Sequence, residues 1–307
     1  MNIKSIVLIP TGGFGNRIKS IVSAKILSEY FNISLYINWD KEECINVDYN
    51  DIFSDNPNRF DLDTINNYNY LFLPHIHTNE VLETLKVQTN NPDDNNYDIL
   101  VVQGGHIFKH PDLDLETFIN YKKIILQRIS WKEDIIKQIY KQDPNNYQIG
   151  LHIRKFVEKF DEADNKNSNL FNQFKCSLDN YTNIIDKLIN KNSNINIFLS
   201  TNCCDTRKLL LEKYSNNIKS RDITYNRNDK HDIINAVIDF LVLSRCKLII
   251  GTHYSSFSDE ACFFNLIPKY CVSDNYELHS NYSYHTYCYD NKTKYILYDE
   301  NIINKFL

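Results

Sequence analysis

Apolar residues fall in short runs separated by polar, turn-forming stretches, and the runs alternate between strand-like and helix-like spacing. Lys4 to Ile9 reads as a strand buried on both faces, because its apolar core is continuous rather than alternating, and Pro10 ends it. Thr11 to Asn16 reads as a glycine loop. Beyond it Ile18, Ile21, Val22, Ile26 and Tyr30 recur at helical spacing, and Ser34 to Asn38 predicts a second strand, so the opening forms one βαβ unit. Asp51 to Asn96 is polar and irregular, broken only by the apolar stretch Tyr70 to Leu73. Asp98 to Val102 predicts a strand running into Gln103-Gly104-Gly105-His106, and Asp114 to Tyr140 predicts helices. Gln142 to Asn146 has turn chemistry and makes a natural boundary.

The second half repeats the alternation. Strands are predicted at Gln148–Ile153, Ile195–Ser200, Lys247–Ile250 and Ile267–Val272. Helices are predicted at Leu178–Ile189, Asp205–Tyr214 (capped by Asp205 or Thr206), Asp232–Arg245 and Ser258–Phe264. Glu158 to Asn172 reads as a charged loop. The pattern predicts an α/β protein of two Rossmann-like domains facing a cleft, residues 1–144 and 145–307. The aromatic tail from Ser273 is expected to pack back across both halves.

Composition narrows the class. A net charge of −5 over 307 residues gives no basic excess for nucleic acid. The apolar run Ile6 to Ile9 is too short for a signal sequence, and no segment approaches a membrane span, which predicts a cytoplasmic protein. The eight cysteines form no Cys-x-x-Cys pair and read as buried, reduced thiols. The seven glycines cluster at Gly12, Gly13 and Gly15, at Gly104 and Gly105, at Gly150 and at Gly251, each in or after a strand-like run. Strand ends on one edge of a parallel sheet are where α/β proteins bind ligands.

Three strand ends carry candidate chemistry. His152-Ile153-Arg154 places His152 and Arg154 on one strand face, and an arginine there can donate two hydrogen bonds to a phosphate; alternatively it is a surface ion pair beside a core histidine. Gly251 to Ser258 opens a helix with hydroxyls and backbone N–H groups, which suits an anion; alternatively Ser256 or Ser258 is an ordinary cap. Ser200-Thr201-Asn202 offers hydrogen bonds to a base or ribose. Thr11 to Asn16 has three readings: a turn, the lining of a sugar-acceptor cleft, or a dinucleotide fingerprint with Asp40 as ribose acid. The fingerprint lacks its third glycine (Ile18 stands there), and none of the 21 tyrosines is followed four residues later by lysine, as a reductase or epimerase would want. His75-x-His77 has metal-like spacing but no third ligand, and Asp61-x-Asp63 and Asp112-x-Asp114 could mimic the metal motif of single-domain transferases but follow no convincing strand.

Taken in order, these segments resemble the fucosyltransferase superfamily with the two-domain GT-B-like fold, which includes α1,2-, α1,6- and protein O-fucosyltransferases. Gly12-Gly13-Phe14-Gly15-Asn16-Arg17 resembles its N-terminal Gly-Gly-x-Gly-Asn-Gln loop. His152-Ile153-Arg154-Lys155 resembles His-x-Arg-Arg, and Phe198 to Asn202 resembles a strand ending in Ala-Thr-Asp. Ala236 to Ser244 with Leu248 to Gly251 and Ser255 to Ser258 resembles the closing motif.

The resemblance implies a metal-independent, inverting glycosyltransferase that moves fucose from GDP-fucose to a glycan or protein hydroxyl. It places Arg154 on the β-phosphate. His152 and Asp239 shape the donor pocket, Thr201 and Asn202 face guanine or ribose, and Ser255, Ser256 and Phe257 hold the diphosphate. Gly13, Gly15, Asn16 and Arg17 form the acceptor-side loop. The general base falls on Glu162, with Asp161 next. Two positions depart from the family pattern: Lys155 to Glu158 replaces an Asp after the arginine pair, and Asn202 replaces the Asp of Thr-Asp. These departures leave open another nucleotide sugar, or a non-catalytic sugar-binding protein.

Overall fold

The computed structural model describes residues 3–42, 45–73, 97–105, 107–108, 113–142, 146–155, 176–224, 226–252 and 255–272. The chain divides into two compact units. One comprises Met1–Ile135 and Arg227–Ile234, the other Ile136–Asn226 and Asn235–Leu307.

The first unit holds a four-stranded parallel sheet of order β2-β1-β4-β3, built from β1 (Ser5–Pro10), β2 (Ser34–Ile37), β3 (Tyr70–Leu73) and β4 (Ile99–Gly104). β1 and β4 pair from Ser5 opposite Ile99 to Pro10 opposite Gly104, so the two glycine loops leave the same end of adjacent strands. The loops also touch. A Cβ on Gly105 would lie 2.6 Å from the Thr11 carbonyl oxygen and 2.7 Å from Asn16 Cβ, a distance only glycine permits. Gly12 turns with φ +77°, the left-handed region.

Helix α1 (Phe14–Phe31) starts inside the stretch expected to be loop. Gly13 is an extended N-cap, and the Arg17 N–H already donates to the Gly13 carbonyl at 3.1 Å. Phe14 is buried beside Trp131, their ring centroids 6.2 Å apart, so burying an aromatic ring favours winding the chain from that residue. The polar stretch after β2 contains a one-turn helix, α2 (Tyr49–Ile52), a 3₁₀ helix (Leu62–Asn67) and the edge strand β3. Helices α3 (Leu115–Gln127) and α4 (Glu133–Lys141) follow β4, and Asp114 caps α3 through the Thr117 N–H.

The second unit holds a five-stranded parallel sheet of order β7-β6-β5-β8-β9: β5 (Ile149–Ile153), β6 (Ile197–Thr201), β7 (Ile218–Ser220), β8 (Leu248–Thr252) and β9 (Lys269–Val272). Every residue of β5, β6 and β8 is buried, which explains runs that are apolar throughout rather than alternating. Their side chains join Tyr181, Ile185 and Leu188 of α5 (Leu178–Lys191) and Leu210 of α6 (Cys204–Lys213) in one core. Helices α7 (Lys230–Leu243) and α8 (Ser256–Asn265) complete the described elements. Helix α6 is capped by the backbone of Cys203, not by Asp205 or Thr206, which lie within its first turn. Of the described cysteines, Cys246, Cys262 and Cys271 are buried as expected, Cys176 and Cys203 are half-buried and Cys204 is exposed.

In this strand order the chain winds outward in one direction from β5 and in the other from β8. The crevice at their carboxyl ends is the position at which open α/β sheets bind ligands. No helix among the described residues is long and apolar enough to cross a membrane.

Candidate functional site

The carboxyl ends of β5 and β8 bring together His152, Arg154, Thr252, Ser255, Ser256 and Phe257. His152 pairs with Gly251 at the last rung of the β5–β8 ladder. Its ring stacks on Phe257 at 5.1 Å between centroids, and Phe240 of α7 packs edge-on against the other side of Phe257 at 5.4 Å. His152 is only 6% exposed. Burial, followed by the nearby cations Lys269 and Arg154, pushes its pKa down to about 3, so it is a neutral imidazole at physiological pH. Among the described residues its Nδ1 has no hydrogen-bond partner.

Helix α8 opens with Ser255 as N-cap, and no serine side chain caps it. The Ser258 hydroxyl turns back to donate to the Ser255 carbonyl at 3.3 Å. The Ser255 hydroxyl is fully buried and has no partner among the described residues. A buried hydroxyl left unbonded costs about 1–3 kcal/mol, so such groups in native proteins commonly await a water, an ion or a ligand. Orphan backbone N–H groups of the helix N-terminus and the half-buried Arg154 add positive potential beside it.

The backbone carrying Arg154 is held from both sides. The Arg154 N–H donates to Thr252 Oγ1 at 2.7 Å, and Thr252 Oγ1 is also 2.7 Å from the Tyr181 hydroxyl. On the β6 side, the Lys155 N–H donates to Asn202 Oδ1 at 2.8 Å, and Asn202 Nδ2 donates to the Lys155 carbonyl at 2.7 Å. Thr201 is buried, and its hydroxyl accepts the Cys203 N–H at 3.3 Å. Thus Thr201 and Asn202 stand at the adjacent strand end, with their side chains engaged by the protein's own backbone. Asp239, fully buried on α7, is ion-paired with Arg221, the residue after β7, at 3.4 Å. Below the site, the buried Lys269 of β9 is ion-paired with Asp259 of α8. Burial, the largest single influence, lowers the lysine pKa, but Asp259 together with Cys271 and Cys262 makes the net shift upward.

The glycine loop of the first unit is built differently. Asn16 is half-buried against Gly12 and Gly105 in the first turn of α1. Arg17 is fully buried. Its Nε donates to the Gly12 carbonyl at 3.0 Å, its guanidinium pairs with Glu42 at 3.2 Å, and it lies 4.4 Å over the Trp39 ring. The Glu42 carboxylate also accepts the Gly12 N–H at 3.0 Å. A carboxylate of the protein itself therefore sits on the loop N–H that a dinucleotide pyrophosphate would need. Asp40, the ribose acid of that reading, is paired with Arg59 on the surface.

Glu162 and Asp161, His75, His77, Asp112 and the tail lie outside the described residues. Asp61 caps the 3₁₀ helix through the Asp63 N–H, and no group of three or more metal-ligating side chains occurs among the described residues. Sequence reasoning did not single out Glu42, Tyr181 or Lys269. Tyr181 and Lys269 read as parts of a helix and a strand, and nothing local marks Glu42.

No family model matches the sequence, and no curated protein matches it. Solved structures do. NodZ α-1,6-fucosyltransferase co-crystallised with GDP (solved for Bradyrhizobium) matches with a TM-score of 0.56 at 16% identity, over 87% of this chain and 93% of that one. A substituted form of FUT1 from Arabidopsis thaliana in complex with GDP matches with a TM-score of 0.58 at 13% identity, over 88% and 70%. POFUT1 in complex with GDP matches with a TM-score of 0.51 at 10% identity, over 89% and 99%. The chain has the GT-B-like, Rossmann-based fold of these fucosyltransferases.

Proposed function

We propose that the protein is a glycosyltransferase that takes a sugar, with fucose the first candidate, from a GDP-linked donor to a glycan or protein hydroxyl. The observation that carries this reading is the pair of buried, unpartnered polar atoms, Ser255 Oγ and His152 Nδ1, beside Arg154 at the β5–β8 switch point. A diphosphate would fill that crevice, accepting from Ser255, from the N-terminal amides of α8 beside Ser256 and Phe257, and from Arg154. The GDP bound by NodZ, FUT1 and POFUT1, on the same fold, supports the same choice of ligand.

In the reaction the bond from the sugar C1 to the β-phosphate oxygen breaks, and a bond from C1 to the acceptor oxygen forms on the opposite face, inverting the centre. The acceptor proton passes to a carboxylate, for which the sequence resemblance points to Glu162, then Asp161. The departing diphosphate gains charge. Arg154 and the α8 N-terminus offset it, so no metal is required and a chelator leaves turnover intact.

The neutral His152 neither adds charge nor acts as an acid here; stacked on Phe257, it shapes the wall and can donate or accept one hydrogen bond. A different base on the donor is the second reading. It is favoured by the engagement of the Asn202 amide with Lys155, which leaves no carboxylate at that position to select guanine.

Thermal-shift measurements with GDP-fucose, GDP and UDP test the donor class, and release of GDP from GDP-fucose tests the chemistry. A rise in melting temperature with GDP but not UDP supports the proposal, and no response to any nucleotide refutes it. Arg154→Ala is expected to cut turnover by about 100- to 1,000-fold. Wild-type turnover in that variant would remove the diphosphate site.

A further inference from the structure

We propose that Asn202 is a positioning residue for Arg154, acting through the Lys155 peptide rather than by touching the donor. The proposal rests on the reading of Arg154 as the diphosphate ligand. β5 is the central strand of its sheet, yet its functional arginine lies one residue beyond the ladder. Backbone pairing with β6 ends at Ile153 opposite Thr201, and pairing with β8 ends at His152 opposite Gly251. Arg154 and Lys155 therefore have no strand pairing to hold them.

Side chains continue the pairing instead. Successive N–H groups of a strand face opposite neighbours. The Arg154 N–H turns to β8 and meets Thr252 Oγ1; the Lys155 N–H turns to β6 and meets Asn202 Oδ1. Asn202 also donates to the Lys155 carbonyl, so one carboxamide makes both bonds that a neighbouring peptide group would make. The two bonds hold the two peptide groups on either side of the Lys155 Cα, and the first of these is the Arg154–Lys155 peptide. That peptide is covalently joined to Arg154, whose backbone is thereby fixed on both sides.

The chemistry demands an amide. An aspartate at 202 could accept from the Lys155 N–H, but it has no hydrogen to give the Lys155 carbonyl, and its second oxygen would face that carbonyl at hydrogen-bonding distance. The asparagine at this position is therefore matched to its contact. Its oxygen and nitrogen each make one bond to Lys155, so a contact to a base would have to use the remaining lone pair or N–H.

The test is a double-mutant cycle on GDP affinity by calorimetry, with N202D, R154A and the double variant, read beside hydrogen exchange at the Lys155 amide. N202D is expected to weaken GDP about tenfold in the wild-type background and less than about twofold once Arg154 is gone, because the two residues act as one unit. Equal loss in both backgrounds, or a changed preference between GDP and UDP, overturns the proposal and makes Asn202 a direct nucleotide contact. In the ligand-free protein, N202A is expected to speed Lys155 amide exchange about tenfold or more, with the melting temperature retained. Unchanged exchange overturns the clamp whatever the ligand. Should wild-type protein bind no nucleotide, the donor-site reading fails and so does this role for Asn202, while the exchange result separately decides whether the clamp exists.

Discussion

The two units present the same topological device in opposite states. Each has a parallel sheet whose central strands end side by side, and each follows one strand end with the N-terminus of a helix, α1 after β1 and α8 after β8. At α1 a carboxylate of the protein faces both the loop N–H and the buried guanidinium. Glu42 takes the Gly12 N–H and the Arg17 guanidinium, and Trp39 covers the cation. At α8 the Ser255 hydroxyl and His152 Nδ1 stay unanswered among the described residues, and the carboxylate in its first turn, Asp259, is paired with Lys269. A helix N-terminus is thus a ligand site only where the chain has not supplied its own anion.

The largest effect expected from breaking this contrast is at the floor of the α8 site. Lys269→Met leaves Asp259 charged and buried without its cation, and should cost about 3–5 kcal/mol in urea unfolding. Joint replacement of both residues by apolar ones should recover most of that loss. In the first unit, Glu42→Gln removes the carboxylate from a buried arginine. Because Glu42 is 34% exposed, solvent softens the cost to about 2 kcal/mol. This variant should bind GDP as the wild type does. A matching loss of GDP affinity would show that the first-unit loop, too, serves the nucleotide.

The pH dependence sharpens the contrast further. His152 has its folded pKa at about 3, below the ordinary 6.5. Its contribution to stability is full above pH 6.5 and declines as pH falls towards 3, because only the unfolded chain takes up the proton. Between those limits wild type should lose about 1.4 kcal/mol per pH unit relative to His152→Gln. Unfolding curves of the pair at pH 7, 6 and 5 check this, and a constant difference would show the imidazole is not held neutral. The smallest effect on stability falls at Ser255→Ala, within about 1 kcal/mol of wild type or slightly stabilising, since the hydroxyl has no bond to lose. The same change should weaken GDP about five- to tenfold, which calorimetry would detect.

Strands buried on both faces were legible because their apolar runs are long and unbroken; β5, β6 and β8 all fall within two residues of expectation. β7 was not, since Ile218-Lys219-Ser220 carries one apolar residue and exists through pairing with β6. The start of α1 was misjudged for a related reason. Gly13 to Arg17 looks like a loop by composition, and only the burial of Phe14 and the anchoring of Arg17 make it a helical turn. At the proposed donor site, His152, Arg154 and the serines are visible in the sequence as residue types at strand ends, but the engagement of Asn202 by Lys155 is not, because the two are 47 positions apart.

Alone, the sequence determined the alternation of strands and helices, the two Rossmann-like halves and the strand ends that carry chemistry, because these follow from local periodicity and from glycine and proline geometry. Tertiary structure decided which side chains at those ends are already engaged. Whether a hydroxyl, an imidazole or an arginine is available to a ligand depends on the partners that distant segments bring to it. Local pattern carries no record of Glu42 meeting the Gly12 N–H and Arg17 at one helix terminus, or of Lys269 pairing with Asp259 at the other.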